Sequence, residues 1–159
     1  MINKIYAKLY RIARYLRNKL INSSASSDDG FYPNFCLKAS QSEITFEKFK
    51  RNIVYNQVLE HVSEIDGWKY QKEIDQLIEK SNLKKYKKKL FTLAALNDSI
   101  GGPRRCFFNS RYISPTSLRY IKVTLDILEL IKDEKINKIV EIGGGYGGQA
   151  LLLSSILNN

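Results

Sequence analysis

Apolar residues recur at helical spacing through most of this chain, and the places where that spacing stops mark its joints. Ile2, Ile5, Leu9, Ile12, Leu16 and Leu20 share one face of a helix predicted over residues 2–21, with Lys4, Lys8, Arg11 and Lys19 opposite. Asn22–Gly30 is small, polar and turn-rich, so residues 23–42 read as a linker or loop, with Phe31–Leu37 re-entering the structure. A helical region then spans residues 43–137. Its first helix is predicted from about Glu43 to Ile65, on Phe46, Phe49, Ile53, Leu59 and Val62, with Asp66-Gly67 as its stop. Trp68–Lys80 and Leu83–Leu96 read as two shorter helices, and Asn97–Arg105 as a loop. Ser114 as N-cap, Pro115 at the first helical position, and Ile113 and Leu118 in the positions of a hydrophobic staple then start a helix that runs to about Lys132.

The last stretch changes period. Lys138–Ile142 is a short β-branched run that fits a buried parallel strand, Gly143–Gly148 permits a tight turn, and Gln149–Leu157 reads as a helix. A strand, a glycine turn and a helix start bring unpaired N–H groups and a positive dipole end to one place, which suits a small polar ligand. The predicted fold class is therefore α/β, a mainly helical N-terminal region followed from residue 138 by the first strand, glycine turn and helix of a Rossmann-like domain.

Charge adds a second theme. The chain has 159 residues, 26 Lys+Arg against 16 Asp+Glu and a net charge of +10, and the surplus is uneven. Residues 1–22 carry six bases and no acids, and residues 81–119 nine bases and one acid, whereas the remaining stretches are mildly acidic. Helix 2–21 can pack its Ile/Leu stripe on the protein, lie on an anionic membrane surface, or mimic a transit peptide. In Lys84-Lys85-Tyr86-Lys87-Lys88-Lys89, five lysines either grip phosphates or form a solvated face with Tyr86 turned inward; no specific nucleic-acid signature accompanies them. Arg104, Arg105, Arg111 and Arg119 lie close in sequence and either share an anion or substrate site or scatter over the surface.

Other chemistries find little support. Cys36 and Cys106 are far apart, and the single histidine, His61, has no second imidazole for a metal or triad site and reads as structural. No apolar run approaches the ~20 residues of a membrane span. A soluble cytoplasmic protein is expected, with contact at the inner membrane through residues 2–21 as an option.

An acid precedes the glycines in the pattern Glu141-x-Gly143-x-Gly145-x-Gly147. This resembles the first motif of class I S-adenosylmethionine-dependent methyltransferases. With Gly101-Gly102-Pro103 and Ser114–Tyr120, the region from about Asn97 onward is similar to the sugar O-methyltransferase family found with bacterial surface-polysaccharide genes. The resemblance implies methyl transfer from S-adenosylmethionine to a sugar hydroxyl of a glycan acceptor, with Glu141, Gly143, Gly145, Tyr146 and Gly147 at the cofactor and no identifiable base. A dinucleotide-binding turn, normally GxGxxG, suits the spacing less well. Residues 138–159 fall short of the ~30 that a strand-helix-strand unit takes. The expectation is an N-terminal part of such an enzyme, inactive alone, with a downstream polypeptide completing the site. The competing expectation is a non-enzymatic basic module that binds nucleic acid or anionic membrane.

Overall fold

The computed structural model describes residues 31–157 apart from 60, 133, 135 and 137. The predicted helix over Ile2–Ile21 and the Asn22–Gly30 linker lie outside the described residues. The chain divides into two compact units, residues 1–61 and 62–159.

The described part of the first unit is a set of short helices: α1 (Phe31–Ser40), α2 (Glu43–Phe46), a 3-10 turn (Phe49–Arg51) and α3 (Ile53–Val58). The segment expected to be loop up to residue 42 thus contains a helix, and the single helix expected over 43–65 is broken. Asparagine side chains explain the break. Asn52 is extended, with φ −66° and ψ 139°, and its Oδ1 accepts from the Val54 N–H at 2.8 Å, which starts α3 afresh. Asn56 Nδ2 donates to the carbonyls of Lys50 and Asn52, so side chains take backbone groups that a continuous helix would have used. Phe46, Phe49 and Tyr55 form an aromatic cluster, with Phe49 edge-on to Tyr55 at 4.8 Å between centroids. The helical spacing of those phenylalanines reflects this cluster rather than one helix face.

The second unit comprises α4 (Glu64–Lys80), a 3-10 turn (Asn82–Tyr86), α5 (Lys87–Asp98), β1 (Cys106–Phe108), β2 (Arg111–Ile113), α6 (Pro115–Ile131) and α7 (Gly148–Leu157). Ser63 caps α4: its Oγ accepts from the Asp66 N–H and donates to the Asp66 carboxylate at 2.6 Å. Asp66-Gly67 is therefore a helix beginning, not the predicted stop. Gly67 is buried against the hairpin, where a Cβ would lie 2.7 Å from Phe108 Cζ. His61 lies between α3 and α4, outside any helix.

β1 and β2 form an antiparallel hairpin, pairing Cys106 with Ile113 and Phe108 with Arg111. Its turn residues, Asn109 and Ser110, both have positive φ, 41° and 66°, as a two-residue hairpin turn of primed type requires. Asn109 Nδ2 donates to Asp75 on α4 at 2.9 Å. Ser114 caps α6 by accepting from the Ser117 N–H, and Pro115 occupies its first position, as the sequence predicts. One core joins all these elements: Ile74 and Ile78 of α4, Leu90 and Ala94 of α5, Phe108 and Ile113 of the hairpin, Leu118, Ile121 and Leu125 of α6, and Leu152 and Ile156 of α7.

The predicted strand is not formed. Residues 138–142 belong to no ladder, and Val140 and Ile142 are 71% and 95% exposed. A parallel strand needs a neighbour for its N–H and C=O groups, and no described segment lies in register beside it. Among the described residues the hairpin is the whole of the β structure. No described helix is long and apolar enough to cross a membrane.

Candidate functional site

Two places in the second unit carry chemistry. The first is the glycine turn ahead of α7. Gly143, Gly145 and Gly147 have φ of +72°, +57° and +92°, a region that side-chain-bearing residues rarely enter. A Cβ on Gly143 or Gly147 would meet nothing within 4 Å, so the turn presents bare backbone on an open side. The Glu141 carboxylate lies over the same turn, 3.0 Å from where a Gly144 Cβ would stand. Gly147 accepts from the Leu151 N–H and has no side chain with which to cap the first N–H groups of α7.

The far end of the turn is anchored. The Tyr146 hydroxyl donates to Asn97 Oδ1 at the end of α5. Gly148 is buried so closely that a Cβ would sit 2.6 Å from Tyr120 Cε2 and 2.8 Å from Asn97 Oδ1. Gln149 Nε2 donates to Thr124 Oγ1 of α6 at 2.9 Å. Of the five predicted cofactor residues, Gly143 and Gly147 thus border open space and Glu141 and Gly145 are exposed, whereas the Tyr146 hydroxyl is engaged with the scaffold.

Beneath this anchor is a buried polar network that the sequence reading missed. Asp98 is 2% exposed and accepts from the Ser114 N–H at 2.6 Å, from Ser114 Oγ at 2.8 Å and from Ser117 Oγ at 2.7 Å. Asn97 Nδ2 donates to Ser117 Oγ at 2.8 Å. The carboxylate therefore stands at the start of α6, where N–H donors and the helix dipole favour an anion. The signal was visible as Asn-Asp ending one helix and Ser-x-x-Ser beginning another, but only the fold reveals that they meet.

The second place is an open cleft of about 700 Å³ between α5 and β2, lined by Lys84, Lys87, Lys88, Phe91, Arg111 and Tyr112 among others. Tyr86 packs against the core, as the solvated-face reading of the lysine run expects. Three of the four candidate arginines lie over three different rings. Arg105 lies over Tyr112 at 5.3 Å, Arg111 over Phe91 at 4.3 Å, and Arg119 over Tyr120 at 5.3 Å. Arg104 is exposed. Only Arg111 lines the cleft, and its companions there are lysines of the 84–89 run.

Cys106 is buried, and burial, reinforced by the nearby Glu64, pushes its thiol above the ordinary value. That disfavours the thiolate a nucleophile needs. Among the described residues no group of three or more His, Cys, Asp or Glu side chains converges to hold a metal ion. No family model, curated protein or solved structure matches the chain.

Proposed function

We propose that residues 138–157 are the cofactor-binding entry of an S-adenosylmethionine-dependent sugar O-methyltransferase with a Rossmann-like fold. The observation that carries this reading is the union of the Glu141-x-Gly-x-Gly-x-Gly pattern with a turn whose three glycines have positive φ and over whose Gly144 the acidic side chain lies. These residues fit the methionine end of the cofactor. Glu141 offers a carboxylate to an ammonium group, and Gly143, Gly145 and Gly147 allow a ligand to approach the backbone without meeting a Cβ. The first N–H groups of α7 suit a carboxylate. S-adenosylmethionine, when bound, supplies a sulfonium methyl group for a sugar hydroxyl. In this reading the apolar run 138–142 is a strand that pairs within a larger parallel sheet, supplied by a further polypeptide segment, and its exposed Val140 and Ile142 are the surface so covered.

The test is amide chemical-shift mapping of the chain with S-adenosylhomocysteine, which reads weak binding without requiring turnover. Saturable shifts confined to residues 141–150, absent in Gly145→Val, are expected. Silence at that turn with millimolar ligand would overturn the proposal.

A further inference from the structure

The cleft between α5 and β2 has no part in the glycine turn, yet it gathers three lysines and an arginine with little compensating acid. Helical spacing puts Lys84, Lys88 and Thr92 on one wall, with Lys87 and Phe91 beside them, while Lys85 leaves the group to lie over the Tyr86 ring at 5.0 Å. β2 forms the other wall with Arg111 and Tyr112. Among the described residues, Lys87 alone of these cations has an acidic partner, Asp75 at 3.7 Å. That carboxylate is shared further, accepting from Gln71 Nε2 and Asn109 Nδ2. Lys84, Lys88 and Arg111 form no ion pair with a described carboxylate. Like charges held around one concavity repel until an anion joins them, so the cleft is electrostatically poised for a ligand of charge near −2 or −3.

Arg111 is also held in place. Its guanidinium stacks on Phe91 at 4.3 Å, which restrains the donor fork that suits phosphate oxygens in bidentate fashion. Size and lining define the rest of the ligand. The volume of about 700 Å³ lies within the ~300–1,000 Å³ of small-molecule sites. Tyr112, the remaining β2 residue at the cleft, carries the Arg105 guanidinium over its ring at 5.3 Å, which adds a further cation beside the rim. A polynucleotide, by contrast, favours cations spread along a track at phosphate spacing rather than converging in a cleft.

We propose that this cleft binds a phosphorylated small molecule, its phosphates held by Lys84, Lys88 and Arg111. The inference is independent of the glycine-turn reading, because the two sites share no residue.

Calorimetric titration of the full chain with uridine diphosphate, inorganic pyrophosphate and a single-stranded oligonucleotide tests it. Uridine diphosphate should saturate one site per chain, and Lys84→Glu with Arg111→Ala should weaken it by at least roughly tenfold, as loss of charge-assisted hydrogen bonds implies. Both side chains are exposed, so an unchanged thermal melt verifies folding of the variant. Lys85→Glu carries the same charge change as Lys84→Glu alone, but outside the cleft, and should alter affinity less than about twofold, since exposed charges act weakly at a distance in salt. Amide shifts with uridine diphosphate should fall on Thr92, Ala95, Arg111 and Tyr112 and spare 141–150. Equal effects of Lys85→Glu and Lys84→Glu would reduce the binding to net charge and overturn the site. An oligonucleotide binding where neither uridine diphosphate nor pyrophosphate does would overturn the small-molecule class.

Discussion

The second unit contains two helix starts built on opposite plans. At α6, Ser114 accepts from the Ser117 N–H, Pro115 removes one donor, and the Asp98 carboxylate takes the Ser114 N–H and two hydroxyls. At α7, the preceding residue is Gly147, and the approach is a run of glycines with an exposed acid over it. The first start is closed by the protein's own side chains and is buried. The second is anchored on one side and left as bare backbone on the other. Satisfied polar groups build structure, whereas backbone kept free of Cβ atoms leaves room for something else.

The largest expected effect comes from opening the closed start. Asp98→Ala would strand a buried N–H and two buried hydroxyls, so urea denaturation should record a loss of about 3 kcal/mol. A loss below about 1 kcal/mol would mean that water replaces the carboxylate, and the contrast between the two starts would collapse. Glycines sharpen the comparison next. Gly148→Ala forces a Cβ against Tyr120 and Asn97 and should cost about 2 kcal/mol through overpacking. Gly143→Ala meets no neighbour and should cost only the left-handed backbone penalty, about 1 kcal/mol. Thermal melts of the two variants give the order directly; a reversed order would misplace the anchored end.

The smallest effect is at the start of α4. Burial pushes the Asp66 carboxyl upward, but hydrogen bonds from Ser63 and Lys69 outweigh it and hold the group below the ordinary 3.8. Its stabilising contribution is therefore complete above that pH and disappears as pH falls through the lower, folded-state value. Comparing wild type with Asp66→Asn across the acid range should give a stability difference that is constant near neutrality and shrinks below pH 3.8. The group is partly exposed, so solvent screening keeps the effect small. A difference that grew on acidification would reverse the assignment.

Elements whose signals are local were legible in the sequence. Ser114-Pro115 marked the start of α6, and the predicted end near Lys132 lies one residue from the observed Ile131. The helices expected over Trp68–Lys80 and Leu83–Leu96 correspond to α4 and α5, although α4 begins earlier, at Glu64, and α5 begins later, at Lys87, after a 3-10 turn, and runs on to Asp98. Competition between signals hid other elements. Over 43–65 the apolar spacing is that of one helix, but the capping side chains of Asn52 and Ser63 override it. In Ser63-x-x-Asp66 a capping box is followed directly by glycine, so a start signal and a stop signal overlap. The hairpin escaped because its turn is Asn-Ser rather than Asn-Gly, although aromatic residues flank it on both sides. Residues 138–142 are strand-like in composition but form no strand, because a strand exists only through its partner. The glycine site was legible as a pattern. The cleft was half legible: the lysine run was noticed, but its union with Arg111 depends on β2 folding back beside α5.

The clamp on Gly148 has a mechanical consequence. With Tyr146 tied to Asn97 and Gly148 wedged against Tyr120, the downstream end of the turn is built into the scaffold, whereas Val140 and Ile142 upstream of it stand in solvent. The clamp therefore fixes where backbone motion must stop. Amide relaxation should be lowest at Gly148 and higher at Ile142.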